Sequence, residues 1–169
     1  ATMDEYFEMI RLKTAVLLAA ALKMGALVAG ANASDAQLLY DFGIDIGIAF
    51  QLRDDYLDTF GNADTFGKRI GGDIVCGKKT FLLITALNNA DAAQRQMLKQ
   101  TIADKQLNEA EKIAIVTKFY QQFGADKACE NAIGERYQQA LNHLERITGH
   151  KNDKKPLAEL AAKLMGRNL

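Results

Sequence analysis

The stretch AVLLAAALKMGALVAGA, residues 15 to 31, is apolar around nearly the whole circumference of a helix. Such a helix needs neighbouring segments on most sides, because an ordinary surface helix carries only one apolar stripe. Lys23 interrupts the run and many of its residues are small, which makes it a poor bilayer span. We therefore expect no stable membrane span, and a chain whose other segments enclose this helix.

Helix start and stop signals recur along the rest of the chain. Ser34 followed by Gln37 has the capping-box pattern and Gly61 supplies a stop, which predicts a second long helix up to about Phe60. The sequence contains no alternating β-branched run, so it predicts an all-α fold without a sheet. Capping pairs at Asp91/Gln94 and Asn108/Glu111 and breaks at Gly124 and Gly149 complete the predicted set: helices over residues 3 to 29, 34 to 60, 92 to 104, 109 to 123 and 125 to 148, and a last helix that has Pro156 in its first turn and ends near Met165.

Two glycines, Gly43 and Gly47, lie four residues apart inside the second predicted helix. Each costs about 1 kcal/mol in helix propensity relative to alanine. Together they leave a flat strip on one face of the helix. Another helix can approach closely there.

The overall charge and the cysteines limit the classes of partner. Lys plus Arg and Asp plus Glu both number 21, so the net charge gives no reason to expect nucleic acid or an anionic membrane as a ligand. Cys76 and Cys129 match no metal-ligand spacing, and the sequence shows no secretory signal. We interpret them as two free thiols in the reducing cytoplasm. A chain of 169 residues is long enough for one domain.

An acidic turn, FQLRDDYLDTFG, occupies residues 50 to 61 at the end of the second predicted helix. Asp54 and Asp58 are one helical turn apart and share a face, as do Gln51 and Asp55. Carboxylates this close repel one another unless a metal ion, nearby cations or exposure to water compensates them. Mg²⁺ prefers one or two carboxylates, several waters and the phosphate oxygens of a substrate.

A glycine-rich basic segment, GNADTFGKRIGGDIVCGKK, follows at residues 61 to 79 and is too long for a routine helix connection. Its cations can fold over a polyphosphate whose other oxygens are held by a metal. On the first helix, Lys13 and Thr14 add a cation and a hydroxyl within an apolar stretch. The cations of the basic segment are Lys68, Arg69, Lys78 and Lys79.

A simpler explanation of the acidic turn is a solvated helix end whose ion pairs are worth at most about 1 kcal/mol each. The pattern DDxxD alone is short and common. Its combination with the preceding apolar helix, the basic segment and the Lys-Thr pair favours a metal–diphosphate site. Acidic residues near a helix C-terminus also oppose the helix dipole, so something else must favour them.

The region FGIDIGIAFQLRDDYLDTFGNADTFGKRIGGDI…GKKTFLLITAL resembles the second aspartate-rich region of the trans-prenyl diphosphate synthases, the family of farnesyl and geranylgeranyl diphosphate synthases. YFEMIRLKTAVLL resembles the Lys-Thr helix that precedes it in that family, and PLAELAAKLMGR extends the likeness more weakly to the chain's end. The resemblance implies an all-α isoprenoid-synthase-type helical bundle around a central cavity. It also implies Mg²⁺-dependent condensation of an allylic diphosphate with isopentenyl diphosphate, in a full-length enzyme that is a homodimer.

The resemblance also assigns roles to residues of this chain. Asp54, Asp55 and Asp58 would hold Mg²⁺, with Asp54 the most direct ligand. Lys13, Lys68 and Lys78 would bind the leaving diphosphate, and Thr14 and Gln51 would turn oxygen dipoles toward the carbocation. Asp73 would pair with a neighbouring lysine or hold a metal-bound water.

The chain departs from the family pattern because it has one aspartate-rich motif where members carry two, and it lacks the arginine pair that binds isopentenyl diphosphate. Residues 1 to 169 therefore resemble the C-terminal half of such an enzyme. We expect this half to be inactive alone and to self-associate through its apolar first helix. Product chain length is not readable from it.

Related activities remain as alternatives. A terpene cyclase or a head-to-head prenyl synthase shares the fold and the metal-triggered ionisation, but the GKRIGGD segment after DDYLD favours the chain-elongating branch. A non-catalytic regulatory subunit is a further alternative, and the intact DDYLD, Lys13 and Lys68 count against it.

Overall fold

The computed structural model describes residues 1–62 and 70–166, without the side chains of residues 151 and 152. Within these ranges the chain forms helices and no strand, which confirms the predicted all-α class. None of the described helices is long and apolar enough to cross a bilayer. The helices are α1 (Met3–Ile10), α2 (Val16–Val28), α3 (Ala33–Phe60), α4 (Gly72–Val75), α5 (Phe81–Asn89), α6 (Ala92–Ala103), α7 (Glu109–Gln122), α8 (Ala125–Arg146) and α9 (Lys151–Met165).

A π-helical segment, Arg11–Ala15, joins α1 to α2 within what the sequence predicted as one uninterrupted helix. Such segments are rare insertions in α-helices and are found frequently at functional sites. This one contains Lys13 and Thr14. The predicted Lys-Thr pair therefore lies where the helical repeat changes.

The N-terminus of α3 is capped by a different residue from the one predicted. The side-chain oxygen of Asn32 accepts a hydrogen bond from the backbone N–H of Asp35 at 2.9 Å, and its amide donates to the Asp35 carboxylate at 2.9 Å. The predicted Ser34–Gln37 capping box is therefore wrong. Asn32 caps the helix instead, because its side-chain amide forms hydrogen bonds with both the backbone N–H and the carboxylate of Asp35.

Other helix ends agree better with the sequence. Asp91 and Gln94 form the predicted capping box, with hydrogen bonds of 2.8 and 3.1 Å. Asn108 accepts from the backbone N–H of Glu111 at 2.9 Å. The last helix begins earlier than predicted, so Pro156 lies inside α9 and not in its first turn.

The contacts divide the chain into two compact units. We call the first, Ala1–Tyr6 with Asp54–Asn131, the aspartate unit, because it contains the acidic turn. We call the second, Phe7–Arg53 with Ala132–Arg167, the glycine unit, because it contains Gly43 and Gly47.

In the glycine unit, α2 and the π-helical segment pack directly on α3. A Cβ atom added to Gly43 would lie 2.5 Å from the Cα of Ala19, and one added to Gly47 would lie 2.5 Å from the Cα of Ala15. Since the partner of the earlier glycine is the later alanine, the two segments run antiparallel. The predicted close approach of a second helix is confirmed.

The other faces of the glycine unit differ in exposure. A buried cluster joins α3, α8 and α9 through Phe42, Ile46, Ala140, Leu144 and Ala161. The first helical run instead exposes large apolar side chains, so the expectation that other segments of the chain enclose this helix is wrong within the described residues. They are Met9, Leu12, Leu17, Met24, Leu27 and Val28.

The aspartate unit packs α5, α6 and α7 around buried Leu82, Leu98 and Val116. Thr80 caps α5 by accepting a hydrogen bond from the backbone N–H of Leu83 at 3.4 Å. Both cysteines are free thiols, as predicted: one is exposed on the turn after α4 and the other is buried in α8.

Candidate functional site

Near its C-terminal end, α3 turns the aspartates of the acidic turn in different directions. Asp55 is only 3% exposed, and its carboxylate accepts a hydrogen bond from the Tyr6 hydroxyl at 2.8 Å. Asp54 and Asp58, one turn apart, are each partly exposed. The structure therefore separates a buried carboxylate from an accessible pair.

Asp58 is joined to the short helix α4. Its carboxylate accepts a hydrogen bond from the backbone N–H of Asp73 at 2.8 Å. A Cβ added to Gly72 would lie 3.4 Å from the other carboxylate oxygen, so the backbone passes close to Asp58. Burial raises the pKa of Asp58 first, and the charges of Asp73 and Asp54 raise it further, against the lowering effects of the backbone hydrogen bond and Lys78.

Lys78 is held in place by Asp73. Its ammonium group donates to both carboxylate oxygens of Asp73, at 2.9 and 3.1 Å. Burial lowers the pKa of Lys78, but the hydrogen bond to Asp73 and the charges of Asp73, Asp55 and Asp54 outweigh it and raise the pKa. The lysine is thus fully charged at neutral pH and lies in the negative field of the acidic turn. Its side chain remains 47% exposed, so it is accessible to a ligand.

Beside the acidic turn, the described residues bring together the accessible carboxylates of Asp54 and Asp58 and the ammonium group of Lys78. In residues 1–62 and 70–166, no group of three or more His, Cys, Asp and Glu side chains is arranged to hold a metal ion. Mg²⁺ requires only one or two carboxylates when phosphate and water complete its shell. The predicted diphosphate ligand Lys68, with Arg69, lies outside the described residues.

The Lys-Thr pair lies in the glycine unit with Gln51. The Thr14 hydroxyl donates a hydrogen bond to the side-chain oxygen of Gln51 at 3.2 Å. Lys13 is exposed, and the next residue but one, Ala15, is fully buried against Gly47. Packing of the π-helical segment on α3 therefore fixes the backbone on which Lys13 and Thr14 lie.

Sequence reasoning missed a charged cluster in the glycine unit. Asp45, whose side chain is 8% exposed, accepts a hydrogen bond from Arg136 at 3.0 Å and lies 3.3 Å from Nε2 of His143. The Arg136 guanidinium also lies over the Phe7 ring, 5.5 Å from its centroid. The His143 side chain is partly buried. The sequence feature that could have indicated this cluster is Asp45, the single aspartate in the apolar run FGIDIGIAF.

Residues 1–120 match the family model described as Polyprenyl synthetase. The chain is 34% identical over 144 residues to a short chain isoprenyl diphosphate synthase of Methanothermobacter thermautotrophicus, which covers 85% of this chain and 43% of that protein. A crystal structure of a geranylgeranyl pyrophosphate synthase matches with a TM-score of 0.90 and 40% identity, covering 100% of this chain and 53% of that one.

A second solved structure is similar as well. It is the geranylgeranyl pyrophosphate synthase from Corynebacterium glutamicum complexed with isoprenyl diphosphate and magnesium, with a TM-score of 0.84, 34% identity, and coverage of 96% of this chain and 46% of that one. These likenesses confirm the predicted isoprenoid-synthase-type fold class. The chain spans about half the length of these relatives.

Proposed function

Because this chain belongs to the polyprenyl synthetase family, we propose that it is the part of a chain-elongating prenyltransferase that holds the diphosphate of an allylic substrate. In that reaction the allylic C–O bond breaks with both electrons going to the diphosphate. The double bond of isopentenyl diphosphate attacks the carbocation, and a proton is lost to leave a longer trans-prenyl diphosphate. The observation that carries the proposal is the chain of contacts Asp58–Asp73–Lys78 beside the acidic turn.

The carboxylates fit a divalent cation. Asp58 is half buried with a raised pKa, so its negative charge is under-compensated by the described residues around it. The helix dipole also disfavours acids at this end of α3. When bound, a divalent cation, which we propose to be Mg²⁺, supplies positive charge to the departing diphosphate. Asp54 and Asp58 are the proposed ligands, and Asp55 supports them from its buried contact with Tyr6.

The lysines would act where negative charge grows. A cation placed against the leaving oxygens stabilises the ionised state more than the intact substrate, which lowers the barrier to ionisation. Lys78 is already oriented by Asp73 and keeps an accessible ammonium group. We assign Lys13 and Lys68 the same role on the basis of the family motif.

Thr14 and Gln51 would stabilise the carbocation. Because the Thr14 hydroxyl donates its hydrogen bond to Gln51, the lone pairs of the Thr14 oxygen point away from that bond and are available to a cation. The proposed substrates are the allylic diphosphate and isopentenyl diphosphate, and the proposed assembly of the full-length enzyme is a homodimer.

Thermal denaturation tests the site directly. The chain is heated alone, with Mg²⁺, with inorganic diphosphate, and with both. A ligand at a hundred times its Kd stabilises by about 2.7 kcal/mol, which corresponds to a rise in Tm of about 5 to 11 °C for a chain of this size. We expect this rise only when both ligands are present, and we expect Asp58→Asn or Lys78→Ala to abolish it.

The matched control is Lys118→Ala, which removes an exposed lysine from α7. This variant should keep the full joint stabilisation. Stabilisation that is merely the sum of the two separate effects, or that survives in Asp58→Asn, would contradict the proposed site.

A further inference from the structure

The aspartate unit contains a cavity of about 680 Å³ between the turn after α4 and the helices α5 and α6. Lys79 lines it, whereas the neighbouring Lys78 pairs with Asp73. The two adjacent lysines of the basic segment therefore lie at different sites, one at the cavity and one beside the acidic turn. We propose that this cavity is a second binding site, for a small amphiphile with a phosphate-type head and a single apolar chain.

Positive charge lines one part of the cavity. Arg95 and Lys99 lie four residues apart on α6 and so share a face, and Lys79 reaches the same cavity from the turn. Among the described residues that line it there is no acid. An anionic group would therefore meet attraction without a competing carboxylate.

Arg95 is fixed without being neutralised. Its Nε donates to the carbonyl oxygen of Leu87 at 2.7 Å and a terminal nitrogen donates to that of Ala90 at 3.1 Å. Both acceptors are uncharged. The guanidinium thus keeps its positive charge while its side chain is held at the end of α5, which lowers the entropy that a bound anion would otherwise have to overcome.

Apolar side chains of two helices also line the cavity. Leu83 and Ile84 of α5 are 6% and 4% exposed, and Leu87 lies one turn further along the same helix. Ile102 of α6 lines the same cavity. An apolar chain buried there would gain roughly 25 cal/mol for each Å² removed from water.

Gly77 brings the turn close enough to complete the cavity. Its φ of +61° is in the left-handed region, and a Cβ there would lie 3.4 Å from a methyl group of Ile102. Glycine adopts this conformation without steric cost. The turn therefore passes against α6 and presents Lys79 beside the apolar wall.

The combination favours an amphiphile over a simple anion. Inorganic phosphate would use the lysines but leave the apolar lining wet, whereas an uncharged chain would leave the cations unpaired. The volume lies within the range of about 300 to 1,000 Å³ that small-molecule sites occupy.

Calorimetric titration with monomeric decyl phosphate tests the proposal on the 169-residue chain. EDTA is present and diphosphate is absent, so that the proposed metal–diphosphate site cannot contribute. We expect decanol and inorganic phosphate each to bind at least tenfold more weakly than decyl phosphate. The double variant Lys79→Ala/Lys99→Ala should weaken decyl phosphate about tenfold or more, because it removes two charge-assisted contacts.

The control double variant is Lys118→Ala/Lys127→Ala, which removes the same charge from exposed positions of α7 and α8 in the same unit. Its affinity for decyl phosphate should be unchanged. Amide NMR shifts should move at Gly77, Leu87 and Lys99, and the spectra of all variants should keep native dispersion.

Three results would overturn the proposal: equal weakening in both double variants, NMR shifts confined to the acidic turn, or binding to phosphatidic-acid vesicles without binding to monomeric decyl phosphate. The last result would indicate a membrane surface as the partner. The binding of decyl phosphate does not depend on the result of the Mg²⁺–diphosphate experiment, so the two proposals are tested separately.

Discussion

Replacing Tyr6 by phenylalanine removes one buried hydrogen bond and little else. Tyr6 is 2% exposed and Asp55 is 3% exposed, so no bulk water replaces the lost hydroxyl. A hydrogen bond to a charged group contributes about 1.5 to 3 kcal/mol. For a chain of this length we expect Tyr6→Phe to lower the Tm by about 3 to 12 °C.

The same variant should change the response to alkaline pH. Burial, followed by the charge and hydrogen bond of Asp55, raises the pKa of Tyr6 far above its ordinary value of 10.0. The unfolded chain then releases this proton above pH 10 while the folded chain retains it, so folding stability falls as pH rises. Each such tyrosine contributes a slope of about 1.4 kcal/mol per pH unit. Tyr6→Phe removes one such contribution, so its stability deficit should narrow above pH 10.

Chemical denaturation at pH 7 and at pH 10 to 11 measures both effects. Tyr137→Phe is the matched control, because its hydroxyl makes no hydrogen bond to the described residues and it should change stability by less than about 0.5 kcal/mol. In an Asp55→Asn background the acceptor is uncharged, so Tyr6→Phe should cost only about 0.5 to 1.5 kcal/mol. A loss no larger than that of Tyr137→Phe, or an unaltered alkaline slope, would refute the reasoning.

Two further predictions concern the glycine unit. Gly47→Val forces side-chain atoms to within 2.5 Å of the Ala15 Cα and should prevent the two helical segments from packing. The Cβ of Gly134→Ala in α8 meets nothing within 4 Å, so this variant should be more stable by about 0.5 to 1 kcal/mol. Circular dichroism melts of both variants measure these effects, and a native-like Tm for Gly47→Val would contradict the first. Hydrogen bonds from Thr148 lower the pKa of Asp35 below its ordinary value of 3.8, so its contribution to stability is present at neutral pH and is lost as pH falls below that value. Asp35→Asn should therefore flatten the acid side of the stability curve, and an unchanged acid midpoint would count against this.

The sequence predicted what local patterns determine. The Gly43–Gly47 strip was predictable because two glycines on one helix face have few explanations other than a close neighbour. The Asp91–Gln94 capping box was predictable because its partners are three residues apart. The π-helical segment was not, since Arg11–Ala15 contains no residue that distinguishes it from ordinary helix.

Pairs that are distant in sequence escaped prediction. Tyr6 and Asp55 are 49 residues apart, and Asp45 and Arg136 are 91 apart. Which side chains of two helices meet depends on the rotation of each helix about its axis. The π-helical segment changes that rotation for the helical residues that precede it. The acidic turn itself was therefore visible in the sequence, but the tyrosine that binds its buried carboxylate was not.

Helical phase explains why DDxxD does not present three equivalent carboxylates. Successive residues of an α-helix are rotated by about 100°, so Asp54 and Asp58 differ by about 40° in direction while Asp55 points well away from Asp54. The Asp55 carboxylate therefore faces the protein interior, where it needs a hydrogen-bond partner, and the Tyr6 hydroxyl is that partner. The first helical run thus contributes to the acidic turn through a tyrosine seven residues before Lys13. This is the geometry on which we propose that Asp55 supports the site and that the accessible pair meets the ligand.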